Sequence, residues 1–206
     1  MFILKNILLL MLITCAGCVI DDTRPDRAES GMQLLQVSEN GRFLQYENGA
    51  PFFWLGDTAW LLFQNLNREE AKRYLQDRSA KGFNVVQVML VHKLSAVNDN
   101  GDRAFIDDDP TRPDTTPDRS YQNPAEYDFW DHVDYIVDLA AEKGIYVAMV
   151  PVWGSAAKTL PDGGAWAAQY AAWIARRFSD RPNIIWLNGG DIRGDEHPET
   201  WEQIGR

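Results

Sequence analysis

The chain has 206 residues, 45% of them apolar and 24% charged, a composition that excludes a disordered tail and fits one globular domain or at most two. The formal net charge of −10 repels phosphate backbones, so nucleic acid is not an expected partner. Eight Trp and seven Tyr are many for this length, and aromatic faces suit both a packed core and a sugar-binding cleft.

Lys5 precedes an apolar run over residues 7–13, and Thr14-Cys15-Ala16-Gly17-Cys18 follows. That order is the pattern of a secretory signal peptide, with a run too short for a stable membrane anchor. Ala16-Gly17-Cys18 resembles a bacterial lipobox, although Cys15 stands where such a box usually has Leu. Residues 1–17 are therefore expected to be a lipoprotein signal peptide. Cys18 becomes the lipidated first residue of the exported protein, and residues 18–36 form a polar tether. The expected location is the outer membrane or cell surface of a Gram-negative bacterium, with the lipid as the membrane contact. A redox C-x-x-C pair at Cys15 and Cys18 is disfavoured, because no strand precedes it and it sits in the apolar run.

A hairpin is predicted next. Residues 42–46 and 51–55 flank Glu47-Asn48-Gly49-Ala50, and an Asn-Gly pair between apolar runs is a strong turn signal. Phe52-Phe53-Trp54-Leu55 is apolar on both faces, as a buried strand is. Asn67 and Glu70 form a capping box for a helix whose one face carries Ala71, Tyr74, Leu75 and Arg78, and Gly82 suits its end. Residues 83–90 read as the second strand. A long polar connection runs to about Gln122, and Asn123, Pro124 and Glu126 then repeat the cap, first-turn proline and box glutamate. Trp130, Val133, Val137 and Ala140 make the helical stripe, which Gly144 ends. Residues 145–150 are the third strand. Trp166, Tyr170, Ile174 and Phe178 mark another helix, residues 183–187 a fourth strand, and Pro198 the start of one more helix.

Strands that are apolar throughout and alternate with helices imply an α/β fold with a parallel sheet covered by helices. Four repeats of about 35 residues fit the pitch of a (β/α)8 TIM-type barrel, for which about 250 residues are typical. A doubly wound sheet would want a G-x-G-x-x-G turn, and Gly56-Asp57-Thr58-Ala59-Trp60 is not one. Only 15 residues follow Asp191, too few for four more strands. The expectation is the N-terminal half of such a barrel preceded by a β-hairpin, with residues 37–206 a domain truncated after its fourth strand.

Barrel chemistry lies on the loops that follow the strands. Those loops carry Asp57, Thr58 and Trp60; then His92; then Trp153 and Gly154; then Asn188, Gly189, Gly190 and Asp191. With no cysteine and one histidine in the set, neither a metal cage nor a cofactor is expected. Carboxylates among Trp and Asn suit glycoside hydrolysis, in which one carboxyl group protonates the leaving oxygen and another attacks or activates water. Asp191 fits the proton donor, with two glycines leaving its approach uncrowded, and it fits a helix cap equally well. Asp57 would hold a sugar hydroxyl or cap a turn. Trp60 and Trp153 would stack on sugar faces or pack beneath the loops, and His92 is a ligand or a plain loop residue. Asp107-Asp108-Asp109 lacks the spacing of a calcium loop and reads as solvated.

Four motifs, in order, carry a resemblance. They are Phe53-Trp54-Leu55-Gly56-Asp57-Thr58-Ala59-Trp60; Arg78 with Gly82-Phe83-Asn84-Val85-Val86-Gln87; Pro151-Val152-Trp153-Gly154; and Ile184-Ile185-Trp186-Leu187-Asn188-Gly189-Gly190-Asp191. From Asn40 onward the chain resembles the apiosidase-like glycoside hydrolases, family 140, secreted bacterial proteins built on a (β/α)8 barrel. The resemblance implies a retaining glycosidase with Asp191 as general acid/base and a glutamate nucleophile on a later strand, beyond these residues. It implies exo action on plant polysaccharide side chains such as apiose-containing pectin, and so an oligo- or polysaccharide partner. Asp57, Trp60, Gln87, His92, Trp153 and Asn188 are the expected substrate contacts. These residues alone, holding half of the catalytic pair, are expected to be inactive. A non-catalytic carbohydrate-binding or structural surface lipoprotein is the alternative.

Overall fold

A computed structural model describes residues 31–206. Cys18, the expected signal peptide and most of the expected tether lie outside the described residues. The tether stops short of residue 36: Leu35 already opens β1 (Leu35–Val37), and Met32 packs on the core.

β1 pairs antiparallel with β2 (Leu44–Tyr46), Leu35 opposite Tyr46. The turn between them is closed by the Ser38 hydroxyl, which accepts the N–H groups of Arg42 and Phe43 at 3.2 and 3.1 Å. The predicted Asn48-Gly49 turn also forms: the Tyr46 N–H donates to the Ala50 carbonyl at 2.9 Å, and Gly49 takes a φ of +83° that favours glycine. Its second arm, expected over residues 51–55, is not a strand. Pro51 makes a single bridge to Gln45 and has no N–H with which to extend a ladder. Phe52 is buried, but Phe53, Trp54 and Leu55 are 78%, 37% and 40% exposed, so the apolar run is not a buried strand. The Asn84 side chain ties this segment down instead, accepting the Leu55 N–H at 2.9 Å and donating to the Phe53 carbonyl at 2.7 Å.

The main sheet has four parallel strands in the order β3 (Gly56–Thr58), β4 (Val85–Met89), β5 (Tyr146–Val150), β6 (Ile184–Trp186). Around it are α1 (Leu62–Asn65), α2 (Arg68–Ala80), α3 (Phe129–Glu142), α4 (Gly154–Ala157), α5 (Ala165–Arg177) and α6 (Pro198–Ile204). The Asn67–Glu70 capping box starts α2 as expected, and Gly82, at φ +83°, follows its end. The stripe Trp166, Tyr170, Ile174 and Phe178 is buried, and Pro198 begins α6. α3 starts later than predicted. Its cap is Asp128, whose carboxylate accepts the N–H groups of Trp130 and Asp131, while Glu126 turns back to the Asp118 N–H. Asp wins because its short carboxylate reaches two orphan donors at once.

Residues paired across a parallel ladder share a face. Asp57, Val86, Val147 and Ile184 form one row and Thr58, Gln87, Ala148 and Ile185 the next. The first row faces the helices, where Val86 and Val147 join Phe63, Trp130 and Tyr170 in the main core. The opposite, inner face holds a smaller cluster of Phe52, Val85, Tyr146 and Ala148 with Leu35, Leu44 and Tyr46. Val85 and Tyr146 are the first residues of their strands. The β1–β2 hairpin therefore plugs the inner face at the N-terminal ends and leaves the C-terminal ends open. Among the described residues no helix is long and apolar enough to cross a membrane.

Candidate active site

The open end of the sheet collects the loops after β3, β4, β5 and β6. Backbone bonds knit them together: the Met89 N–H donates to the Trp60 carbonyl at 3.0 Å, and the Trp153 N–H to the Val91 carbonyl at 2.9 Å. Trp60 and Trp153, from the first and third loops, meet with ring centroids 5.1 Å apart and planes at 53°. That tilted pair forms an aromatic corner at the mouth. Gln87 lies on the inner face, and no side chain among the described residues bonds its amide. His92 follows β4, and its Nδ1 is buried without a hydrogen-bond partner. Burial, with Lys93 adding to it, pushes the His92 pKa below the usual value, so the ring is held neutral.

Asp57 does not face this mouth. It lies on the helix side of β3, where its Oδ2 accepts from the Tyr74 hydroxyl at 2.9 Å and from Arg78 at 2.7 Å, and its Oδ1 from the Thr58 N–H at 2.8 Å. Burial pushes its pKa up, but these bonds outweigh burial and hold the carboxyl below its usual range. The expected sugar contact at Asp57 gives way to a strut between β3 and α2. The helix face Ala71–Tyr74–Leu75–Arg78 contains the signal for it, since the two polar members of an otherwise core-facing stripe need a partner. Asn188 is likewise engaged by the helix layer: its side-chain N–H donates to the Trp201 carbonyl in α6 at 2.7 Å. Trp186 stacks edge-on against Phe178 at 6.1 Å, also on the helix side.

Asp191 is exposed, and its carboxyl has no hydrogen-bond partner among the described residues. It does not cap α6; His197 holds the N-cap position. The glycines before it have distinct jobs. Gly189 takes a φ of +118°, which favours glycine. Gly190 lies against the loop after β5: a methyl group on it would overlap the Gly154 nitrogen and lie 2.9 Å from the Gly154 Cα. Both glycines thus serve the backbone of the loop itself. Among the described residues no three His, Cys, Asp or Glu side chains converge as metal ligands.

A catalytic-domain family described as apiosidase-like matches residues 38–206, nearly the whole of the described chain. The chain belongs to this apiosidase-like family. Among solved structures, a glycoside hydrolase is 41% identical with a TM-score of 0.71, the match covering 84% of this chain and 37% of the other. A Bacteroides vulgatus protein described as a family 5 glycoside hydrolase is 40% identical, with a TM-score of 0.71 over 85% of this chain and 36% of that one. An endo-1,4-β-mannanase from Rhizomucor miehei shares the fold at 14% identity and a TM-score of 0.56, over 84% and 57% of the two chains. No curated protein matches significantly. The apiosidase-like chain spans little more than a third of the length of the first two structures. Its four parallel strands and their helices are part of a (β/α)8 TIM-type barrel, and its glycoside hydrolase membership agrees with the carboxylate and aromatic residues at the strand ends.

Two features of this apiosidase-like domain escaped the sequence. One is the seat of Gly190 on Gly154, for which a glycine on each side of the contact is the only signal. The other is a buried ionic cluster between α3 and α5. There Arg177 lies 2.9 Å from Asp131 and 3.0 Å from Asp134, and Arg181 lies 2.9 Å from Asp134. Nothing in a helical stripe announces charged partners on its buried side.

Proposed function

We propose that these residues supply the acid half of a retaining exo-glycosidase, with Asp191 donating a proton to the glycosidic oxygen and later activating water. The observation that carries this reading is the unpaired Asp191 carboxyl at the strand C-terminal ends, one residue beyond a loop locked against Gly154 beside Trp153. The other strand-end carboxylate, Asp57, is already committed to Tyr74 and Arg78. The attacking carboxylate comes from outside the described residues. In a retaining pair it would lie about 5–5.5 Å from Asp191. Trp60 and Trp153 supply apolar faces for a sugar ring, and Gln87 and His92 supply free polar atoms for its hydroxyls. The family membership supports a terminal sugar on a plant polysaccharide side chain, such as apiose in pectin, as the substrate class. Acylation of Cys18 would tether the domain to the outer membrane or cell surface, where polymeric substrate is met.

The test is Asp191→Asn in the full-length protein. Loss of a general acid typically costs about 10²- to 10⁴-fold, and the loss should shrink for aryl glycosides with good leaving groups, which need less protonation. Unchanged turnover of a poor-leaving-group glycoside would sink the assignment and favour a carbohydrate-binding role.

A further inference from the structure

The reading of Asp191 as proton donor leaves open what holds an exposed, unbonded carboxyl in place. Its own side chain makes no bond among the described residues, so its position is inherited from the backbone of residues 188–192. That backbone touches the loop after β5 at two points. At the first, Gly190 is so close to Gly154 that an added methyl group would overlap the Gly154 nitrogen, lie 2.9 Å from its Cα and 3.3 Å from the Trp153 carbonyl carbon. At the second, a methyl group on Gly154 would lie 2.7 and 2.9 Å from the Cγ2 and Cγ1 carbons of Ile192. The two points flank Asp191 on either side. They also differ in kind: the first sets backbone against backbone and cannot yield, whereas the second sets backbone against a side chain that can rotate or be trimmed. Gly194, in the same loop, has nothing within 4 Å of the same position.

We propose that Gly190 and Gly154 are positioning residues. Their backbone contact sets the position of Asp191 relative to the loop that carries Trp153, and with it the aim of the proton. The inference rests on the proposed role of Asp191. A displacement of about 1 Å in a group that must meet a reacting atom can cost about 100-fold in rate. Gly190→Ala must push the β6 loop away from the β5 loop, because both sides of the contact are backbone.

Three single alanine variants and one double variant of the full-length protein test this, with amide exchange and the hydrolysis of aryl glycosides as readouts. Gly190→Ala is expected to raise exchange at residues 153–154 and 188–192. It should lower kcat/KM about 100-fold on a poor leaving group and cost little in kcat/KM on a good one, where the step that needs acid is easy. Gly154→Ala should do the same more weakly and be restored by adding Ile192→Ala. Gly194→Ala should match the parent throughout. The inference is overturned if Gly190→Ala changes neither exchange nor kcat/KM, or if it lowers both leaving-group classes equally in step with Tm, which is the mark of packing alone. Indifference of turnover to Asp191→Asn would instead overturn the reading of Asp191, while the exchange data would still decide whether the contact exists.

Discussion

Replacement of Arg177 by Met removes the one guanidinium in ion-pair contact with Asp131 among the described residues. Arg177 reaches from α5 to α3, with its Nη2 2.9 Å from Asp131 and 3.0 Å from Asp134, and none of the three side chains is more than 4% exposed. Asp134 keeps Arg181 at 2.9 Å, but Asp131 keeps no cation. Removing one partner of a buried pair costs about 3–5 kcal/mol, and Met preserves most of the packing of the Arg stem. For a chain of this size that corresponds to roughly 6–20 °C in Tm. The pH dependence sharpens the test. Burial, reinforced by the Asp128 charge and opposed by Arg177, pushes the Asp131 pKa up to about 7. The folded chain therefore keeps a proton that the unfolded chain releases near pH 4. This group's contribution to stability is full below that pH and is lost as the pH rises to about 7. The Arg177→Met deficit should be largest at pH 8 and shrink toward pH 4.5, where Asp131 is neutral. Asp131→Asn, which carries no charge to desolvate, should match the parent at pH 4.5 and be at least as stable at pH 8. Thermal melts followed by circular dichroism, at one low protein concentration, measure all three. A deficit for Arg177→Met under about 1 kcal/mol at pH 8, or one equal at both pH values, would refute the reasoning.

Three further outcomes are expected. Buried His132 accepts from the Tyr127 hydroxyl at 2.7 Å and donates to the Leu66 carbonyl at 2.9 Å, and burial lowers its pKa. Its stabilising effect is therefore present above the unfolded value near 6.5 and lost as the pH falls below it, so exchange in residues 121–132 should rise between pH 6.5 and 5 in the parent and not in His132→Gln. Tyr74→Phe removes one bond to Asp57 and should lower stability by about 1 kcal/mol in a denaturant titration with hydrolysis unchanged; a fall in hydrolysis at constant stability would return Asp57 to the sugar site. Cys18→Ser should abolish fatty-acid labelling and membrane fractionation, and a parent that is already soluble and unlabelled would refute the lipoprotein reading.

The helices were legible where a local chemical rule decides them. Asn67 and Glu70 cap α2 because both partners lie within one turn, and the stripe from Trp166 to Phe178 has one periodicity and one core to face. α3 starts late because Asn123 and Asp128 both carry cap chemistry, and Asp128 is the one whose carboxylate takes two N–H groups of the first turn. The apolar run Phe52–Leu55 misled because apolarity reports burial somewhere, not a strand. Pro51 breaks the ladder, and the first strand of the sheet is the short, polar Gly56–Thr58. The site was legible as a set of loops but not as directions. Asp57 and Gln87 both sit on strands beside the mouth, and the pleat turns one toward Arg78 and the other to the inner face. A period of two reverses with a one-residue change in where a strand starts, so an error in the first strand carries over to Asp57.

The most direct test of the central claim is the response of Asp191→Ala to azide, in the full-length protein with an aryl glycoside whose leaving group needs no acid. Without its base, the variant should form a glycosyl-enzyme readily and hydrolyse it slowly. Azide, a nucleophile that needs no deprotonation, should then raise turnover in proportion to its concentration and yield a glycosyl azide of retained anomeric configuration. A variant that turns over as fast as the parent, gains nothing from azide and forms no glycosyl azide would contradict the assignment of Asp191 as the acid/base.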